Sequence, residues 1–348
     1  MAEPSSDAIW ERDWPAGGLE AVDACPVCGS RDRSPAVVGM IDNVFFVAPG
    51  RWTLQRCGGC GSAYLAPRPT AETIGAAYAS YYTHTPASPR GRAGLARRLY
   101  FAVADLYVKG RYLRSGPLAR LAAALIAVFL QPLANRQDHR HRWMDPHRDG
   151  MSVLDAGCGN GEFLAVARGL GWEVEGFDLD ERAVEAARNA GVRARVGTLE
   201  SLAGELNGPY DTITMNHVIE HVYDPRRDLE RAFQLLKPGG LLYVETPNID
   251  ALNLQTFGIH WRGLEAPRHL VLFSPHSLSR LLRDLGYTDV RVRRRDVFSG
   301  LYELSSRAEA AFKGSANPRR ASLLQKLRGS FASKARLEFI TVTARKPG

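Results

Sequence analysis

From Ser152 onward, short apolar runs alternate with segments whose apolar residues recur every three or four positions. The short runs indicate buried strands, and the longer spacing indicates helices that bury one face. The predicted strands span 152–156, 173–177, 193–196, 211–215, 240–245, 289–293 and 337–344. The predicted helices span 161–170, 181–190, 225–236 and 275–285. This alternation predicts an α/β fold in which helices cover both faces of a parallel sheet.

The first 150 residues follow other patterns. A β-rich stretch lies within 25–70, and a polar stretch rich in Pro, Gly and Ser follows at 83–94. Residues 95–143 are rich in Ala, Leu and Arg and predict two helices that separate at Gly116-Pro117. The predicted units are an N-terminal tail (1–24), a small module (25–82), a basic helical insert or linker (83–149) and the α/β domain (150–348).

Four of the five cysteines, Cys25, Cys28, Cys57 and Cys60, form two C-x-x-C pairs that are each followed by glycine. Two such turns present four thiolates to one tetrahedral Zn²⁺, so we expect a zinc ribbon with a structural metal and no open coordination position. The spacer of 28 residues predicts a β-hairpin between the pairs. Unligated thiols are the alternative, although exposed pairs of free cysteines would be reactive.

The beginning of the sequence carries no charged and apolar secretion leader, which predicts a cytoplasmic protein and makes disulfide bonds the weaker interpretation of the cysteines. Cys158 lies apart from the two pairs, inside a glycine-rich loop. We expect it to be a small packed side chain, with a redox role as the alternative.

The glycine-rich loop, Asp155-Ala-Gly157-Cys-Gly159-Asn-Gly161, follows the first predicted strand, where a nucleotide-type cofactor would bind. A dinucleotide fingerprint needs G-x-G-x-x-G, but here Glu162 takes the place of the third glycine and would repel a pyrophosphate. Asp155 instead suits a ligand with an ammonium and a sulfonium group. Asp178 ends the second strand, where a carboxylate can accept hydrogen bonds from ribose hydroxyls.

These motifs, with Gly197-Thr-Leu199-Glu, His217-Val-Ile-Glu220-His221-Val and Leu236-Lys-Pro-Gly-Gly, resemble the Rossmann-like class I S-adenosylmethionine-dependent methyltransferases. The subgroup to which the chain is most similar is the bacterial ubiquinone-type branch, with a zinc ribbon ahead of the catalytic domain and functions in polysaccharide or natural-product synthesis. The resemblance implies that Asp155, Gly157 and Gly159 hold the methionine end, Asp178 the ribose, and Leu199 with its neighbours the adenine. The predicted cofactor residues are Asp155, Gly157, Gly159, Gly161, Asp178, Leu199 and Asn216.

His217 begins where the fourth strand ends, and an imidazole there can act as the base that deprotonates an acceptor. A histidine that shapes the pocket wall is the alternative. His217-x-x-Glu220-His221 also matches the H-x-x-E-H motif of inverted zinc peptidases, which requires a helix and a further ligand. In the ubiquinone-type relatives the matching E-x-x-E-H stretch is associated with a divalent cation, so the resemblance implies a cation site at Glu220 and His221.

The connection after the fifth strand is long and carries aromatic, acidic and basic groups in 261–270. Long surface loops usually bind something, and we expect Arg268 and His269 to orient the substrate. A salt bridge from Arg268 to Glu265 is the alternative. The predicted catalytic residues are therefore His217, Glu220, His221, Arg268 and His269.

The formal net charge of +8 for the whole chain is matched by a net +8 in residues 88–150 alone. Within this insert, 121–130 is a run of ten apolar residues, too short for a membrane span of about 20. Its interpretations are a buried core helix, a homodimer contact, or peripheral contact of 95–134 with the inner face of an anionic membrane. Nucleic-acid binding is not expected, because no recognisable reader motif accompanies the basic residues.

The function expected from these features is methylation of a small hydroxylated acceptor, a sugar or a glycan or natural-product precursor. The alternatives are a non-enzymatic zinc-ribbon adaptor on a degenerate methyltransferase fold, and an H-x-x-E-H metal hydrolase. Intact Asp155, Gly157, Gly159 and Asp178 speak against the adaptor.

Overall fold

A computed structural model of the protein describes residues 8–78, 94–113, 115–295, 297–315 and 317–348. Most of the predicted linker at 83–94 lies outside these residues. The strands are β1 (Leu19–Glu20), β2 (Arg33–Met40), β3 (Trp52–Cys57), β4 (Ala63–Leu65), β5 (Arg68–Pro69), β6 (Ser152–Ala156), β7 (Glu173–Asp178), β8 (Arg193–Val196), β9 (Tyr210–Asn216), β10 (Leu236–Pro247), β11 (Val271–Leu272), β12 (Thr288–Arg293) and β13 (Phe339–Arg345). The helices are α1 (Leu95–Arg111), α2 (Pro117–Phe129), α3 (Gln131–Arg140), α4 (Glu162–Gly169), α5 (Glu181–Asn189), α6 (Pro225–Leu235), α7 (Leu252–Phe257), α8 (Pro275–Asp284), α9 (Phe298–Phe312) and α10 (Leu323–Ser330).

The main sheet has seven strands in the order β12-β13-β10-β9-β6-β7-β8. Neighbours from β10 to β8 pair in parallel, whereas β13 runs antiparallel to both β10 and β12. The α/β fold and the strands and helices predicted from Ser152 onward are confirmed, with ends that shift by a few residues. The central strands are buried on both faces, which is why they read as continuous apolar runs.

The helical insert contains three helices, and the predicted break at Gly116-Pro117 is confirmed. The interpretation of 121–130 as a buried core helix is wrong, because Leu118, Val128 and Phe129 are between 71% and 81% exposed. Helix α2 buries Ala123 and Ile126 and packs on α1, where Gly110 lets the helices approach so closely that a Cβ would lie 2.0 Å from the Ala119 oxygen. Among the described helices, none is long and apolar enough by itself to cross a membrane. Helices α2 and α3 together have the length and apolar composition of a span, but the chain bends by 113° between them.

The small N-terminal sheet has the order β11-β4-β3-β2, so it takes one strand from the connection after β10. The hairpin predicted between the cysteine pairs is present as β2 and β3, with Arg33 opposite Cys57. The expectation that 261–270 is a surface loop is wrong, since Trp261 and Arg268 are fully buried. The pairing of β11 with β4 brings the segment against the N-terminal sheet, where it is buried.

Arg268 holds this buried connection to the N-terminal sheet. Its guanidinium pairs with both carboxylate oxygens of Asp42, and it donates to the Ala77 carbonyl oxygen at 2.7 Å and to Glu265 at 3.2 Å. Asp42 also accepts backbone N–H groups from Val47 and Ala48 at 3.0 and 3.1 Å. A buried charge is tolerated only when it is paired and hydrogen-bonded in this way.

The region after β12 holds α9 and α10, which the sequence patterns did not predict. Helix α9 packs on α7 and buries Phe298 and Tyr302, so it extends the main core beside the sheet.

We predict that Arg268→Met destabilises the protein by about 3–5 kcal/mol, because Asp42 would be left as an unpaired buried charge. Urea unfolding followed by circular dichroism measures the change. Arg283→Met is the matched control on an exposed helical position, and its effect should stay within about 0.5 kcal/mol.

The double variant Asp42→Asn, Arg268→Met removes both charges and should recover part of the lost stability. An Arg268→Met variant that unfolds at the same urea concentration as the control would show that the buried pair does not hold the two sheets together.

Candidate functional site

Four polar side chains lie at the carboxyl ends of neighbouring parallel strands. Asp155 is near the end of β6, Asp178 ends β7, Asn216 ends β9, and Glu245 is near the end of β10. Because these strands run in parallel, their ends meet at one edge of the sheet, where ligands of open α/β sheets bind.

The glycine loop at this edge is shaped by steric limits. Gly157 has φ +66°, and a Cβ there would lie 2.4 Å from the Val218 side chain. Gly159 donates its N–H to Asp178 Oδ2 at 2.9 Å, which ties the loop to the end of β7. At Gly161 a Cβ would crowd Ala187, at 3.1 Å, so this glycine serves the packing of α4 and its role toward a cofactor stays a prediction.

Asp155 is fully buried, and its Oδ1 accepts hydrogen bonds from Arg142 and, at 2.8 Å, from Thr214. Its Oδ2 is buried without a hydrogen-bond partner in the described parts of the chain. Arg142 and Trp143, at the end of the helical insert, have φ of 47° and 50°. Left-handed backbone at two consecutive non-glycine residues is costly, and it persists where surrounding contacts fix it. Sequence analysis missed Arg142.

The end of β7 offers a carboxylate beside an exposed apolar side chain. Asp178 Oδ1 accepts the N–H of Asp180 at 3.0 Å, and Leu179 is 72% exposed. The position of Leu179 directly after Asp178 is the sequence feature that indicates an apolar contact beside the carboxylate. Leu199, predicted near the adenine, is only 4% exposed and packs into the core, so its role toward a cofactor stays a prediction.

Glu245 is the centre of a buried polar cluster that sequence analysis missed. It accepts hydrogen bonds from Tyr243 at 3.1 Å and Thr341 at 2.7 Å, and it pairs with Arg295. His139 Nε2, from the helical insert, lies 3.3 Å from the same carboxylate. The carboxylate is fully buried. It therefore joins β10, β13, the end of β12 and α3.

His217 lies between two buried carboxylates. Its Nδ1 is 3.1 Å from Glu220 Oε1, and its Nε2 is 3.6 Å from Glu245 Oε1. The ring contacts Phe339 edge to face, and one third of the side chain is exposed. The backbone has φ +57°, and its N–H donates to the Glu245 carbonyl oxygen at 2.9 Å. Asn216, half-buried, precedes it at the end of β9.

The charge balance of this cluster is set by burial. Burial, followed by the charges of Arg295 and Arg142, lowers the pKa of His139 to about 3, so this imidazole is neutral at pH 7. Burial lowers the pKa of Arg295 to about 10, which leaves it charged. Asp155 and Glu245 each pair with one arginine, Arg142 and Arg295, and burial raises the pKa of Asp155 against the effect of Arg142.

Glu220, His221 and His269 form a second cluster. Each offers one ligand atom, and these atoms lie within 4.8 Å of one another. His221 Nδ1 is 3.0 Å from the Arg268 carbonyl oxygen, and His269 Nδ1 is 2.9 Å from that of Gly263. Since a carbonyl oxygen only accepts, each Nδ1 donates a hydrogen, and in a neutral ring the lone pair is then on Nε2.

The protonation states in this second cluster suit a cation. Glu220 Oε2 is buried without a hydrogen-bond partner among the residues described. Burial would raise the pKa of Glu220, but His217 and then His221 and His269 bring it down to about 2. Burial, with a smaller effect of His221, lowers the pKa of His269 to about 4. An ionised carboxylate and two imidazole lone pairs are a donor set for a divalent transition-metal ion.

Residues 217–221 form a turn and not a helix, and the second cluster contains His269 in place of His217. The helical motif that an inverted zinc peptidase needs is therefore not formed here. Arg268 supplies only its backbone oxygen to this cluster, because its guanidinium is engaged with Asp42 and Glu265. Those contacts match the ion-pair alternative, and the substrate-orienting roles of Arg268 and His269 stay predictions.

The four cysteines of the N-terminal module come together. The sulfur atoms of Cys25 and Cys60 are 3.7 Å apart, those of Cys28 and Cys57 are 3.5 Å apart, and all four lie within 4.8 Å of one another. A tetrahedral zinc ion with Zn–S bonds of about 2.3 Å requires sulfur separations of about 3.8 Å. The cluster thus has the size that a zinc ion needs.

Comparison with known proteins identifies the family of this chain. Residues 128–292 match the family model described as a methyltransferase domain. The ubiquinone biosynthesis O-methyltransferase of Xanthomonas euvesicatoria is 34% identical over 182 residues, which cover 47% of this chain and 74% of that protein. The protein of the same name from Thiobacillus denitrificans is 31% identical over 170 residues, covering 45% and 73%.

A solved structure of a SAM-dependent methyltransferase from Archaeoglobus fulgidus covers 64% of this chain and 98% of its own, at 20% identity and a TM-score of 0.43. The family assignment rests on the sequence relatives together with the family model. Both agree with the resemblance found in the glycine loop and the strand-end motifs. This chain belongs to the class I S-adenosylmethionine-dependent methyltransferases.

Proposed function

We propose that the protein transfers the methyl group of S-adenosylmethionine to a hydroxyl oxygen of a small acceptor, with His217 as the general base. The observation that carries the proposal is the position of His217, a partly exposed imidazole held between Glu220 and Glu245 at the end of β9. A hydroxyl is a poor nucleophile until it loses its proton, so a base at this point is what O-methylation requires.

The cofactor fits the edge formed by β6 and β7. Asp155 Oδ2 is available for the ammonium group, and the Asp178 carboxylate for the ribose hydroxyls. Leu179 supplies an apolar surface for the adenine. When bound, S-adenosylmethionine supplies an electrophilic methyl group on a sulfonium.

The residues around His217 have separate tasks in this proposal. Glu220 accepts a hydrogen bond from Nδ1 and so fixes the plane of the ring. Nε2 is too far from Glu245 for a strong hydrogen bond and is free to contact the acceptor. The acceptor hydroxyl gives its proton to Nε2 as the new oxygen–carbon bond forms and the methyl–sulfur bond breaks, so that the sulfonium leaves as a neutral thioether. Glu220 and Glu245 then stabilise the resulting imidazolium.

The acceptor class proposed is a sugar, or a glycan or natural-product precursor. The relatives named above are O-methyltransferases of ubiquinone biosynthesis, which supports a hydroxyl acceptor and adds intermediates of that synthesis to the candidates. Labelled S-adenosylmethionine with nucleotide sugars, lipid-linked glycans and those intermediates is the screen that separates them.

His217→Ala should lower kcat by roughly 10²-fold with the substrate found in that screen, because general-base catalysis contributes on that scale. Affinity for S-adenosylmethionine should not change, since His217 lies at β9 and not at the glycine loop. Steady-state kinetics and calorimetry measure the two effects. His276→Ala, at an exposed position of α8, is the matched control. Normal kcat in His217→Ala would remove the base from the mechanism.

Asp178→Ala should weaken binding of S-adenosylmethionine by roughly 1.5–3 kcal/mol, the scale for hydrogen bonds to a charged group. Asp178→Asn keeps an acceptor for the Gly159 N–H and should lose less, which separates ribose binding from damage to the loop. Calorimetric titration measures both. Asp284→Ala, exposed on α8, should bind normally. Equal affinity in all variants would show that the ribose does not lie on Asp178.

We also propose that the four-cysteine cluster binds one structural Zn²⁺, and that Glu220, His221 and His269 hold a second divalent cation. Two imidazoles and one carboxylate favour a transition-metal ion over Mg²⁺. Bound there, the cation would help to orient the acceptor and favour its deprotonation. The nitrogen and oxygen donors leave coordination positions open, unlike the four sulfur ligands.

We predict that purified protein contains one zinc, and that Cys57→Ser loses it while still binding S-adenosylmethionine. Cys158→Ser, which removes a buried cysteine outside the cluster, should keep the metal. Equilibrium dialysis with Zn²⁺ should load a second equivalent, which His269→Ala should lose without losing the first. Elemental analysis counts the metal. One equivalent in both wild type and His269→Ala after dialysis would reject the second site.

A further inference from the structure

A groove of about 1060 Å³ lies between the helical insert and the edge of the main sheet formed by β10, β13 and β12. Its floor includes Leu241, Thr343 and Arg293, which alternate along their strands with residues on the opposite face. Glu245 and Arg295 lie on the same face, two or four residues further along. Because two residues of a strand span about 7 Å, the groove and the reaction centre are neighbours on one surface of the sheet.

The groove is strongly basic. Seven Arg or Lys side chains line it, against three Asp. Two of the acids are already paired, Asp145 with Arg345 and Asp289 with Arg291. Arg293 donates to the Thr343 hydroxyl at 3.0 Å and Lys334 to the Val292 carbonyl oxygen at 2.8 Å. Both cations thus contact neutral oxygens, and the surplus of positive charge favours an anionic ligand.

Helix α2 forms one wall of this groove and carries an exposed apolar stripe on its outer side. Ala123, Ala124 and Ala127 line the groove. Leu118, Leu121, Leu125 and Val128 recur every three or four residues and are 81%, 58%, 50% and 71% exposed. Residues at that spacing lie on one helix face. Several exposed apolar side chains on one face of a water-exposed helix mark a contact with a membrane or with another protein.

We propose that this surface, the α2 stripe with the basic groove beside it, docks on a bilayer that contains anionic phospholipids. The stripe would bury its leucines at the level of the first acyl carbons, and phosphate oxygens of a headgroup would pair with Arg293 and Lys334 in the groove. A second copy of the chain, bound to this surface as a symmetric dimer, is disfavoured because it would bring two positively charged grooves toward each other.

Vesicle sedimentation tests the proposal with the full chain. The protein should bind vesicles of phosphatidylcholine mixed with phosphatidylglycerol, and binding should weaken at high salt and in vesicles of phosphatidylcholine alone. The double variant Leu121→Ser, Val128→Ser should lower the partition coefficient by roughly tenfold or more, because each apolar side chain that enters the bilayer raises this coefficient more than about fivefold. Arg293→Gln with Lys334→Gln should lower it by roughly tenfold.

Matched controls separate this surface from general stickiness. Val38→Ser changes a valine that is 63% exposed on the N-terminal sheet, and Arg12→Gln with Arg31→Gln removes two exposed charges from the N-terminal part of the chain, outside that sheet. Both should bind vesicles like the wild type. Affinity for S-adenosylmethionine, measured in every variant, reports that the fold is intact.

Three results would overturn the proposal. The first is equal binding by the groove variants and the controls, and the second is no binding to anionic vesicles by the wild type. The third is a wild-type dimer in light scattering that becomes monomeric in Leu121→Ser, Val128→Ser and binds no vesicles, which would assign the stripe to a second copy of the chain. None of these results bears on methyl transfer, which the His217 variant tests separately.

Discussion

The buried guanidinium of Arg268 is the contact on which the arrangement of the two sheets depends. It pairs with Asp42 from the N-terminal module and with Glu265 from its own connection. The backbone oxygen of Arg268 accepts a hydrogen bond from His221. A charge without water must be fully paired, so these partners have little freedom to move apart. The same connection carries His269 to Glu220 and supplies β11 to the small sheet. The four-cysteine module is therefore held against the segment that carries His269.

The candidate site at the strand ends is organised around Glu245, a second fully buried charge. Its partners come from α3, the end of β9, the segment after β12, and β13, so the helical insert and the sheet edge close on one carboxylate. The left-handed backbone at Arg142, Trp143 and His217 lies around the same point. Strained residues held by dense contacts are typical of functional sites, because the surrounding structure fixes each side chain before a ligand arrives.

The sequence allowed prediction of those features whose signal is local. The glycine loop, Asp178 and the cysteine pairs each need only a turn and a few neighbouring residues, and the strand and helix periods from Ser152 onward follow from burial on two faces. Glu245, His139 and Arg295 gave no such signal, since they meet only after distant elements pack together. The connection at 261–270 looked like a surface loop because it is polar, and its burial depends on an ion pair with a residue more than 200 positions away. Helix α2 was predicted as a core helix because its composition is apolar. Composition does not reveal which face of a helix another element buries.

We propose that one edge of the sheet holds the cofactor at β6 and β7 and the acceptor at β9 and β10. A crystal structure of the complex with S-adenosylhomocysteine tests this most directly. We predict ribose hydroxyls within hydrogen-bond distance of Asp178, the amino group at Asp155, and the sulfur facing the space between His217 and Glu245. A ribose bound elsewhere, or a sulfur that faces away from His217, would contradict it.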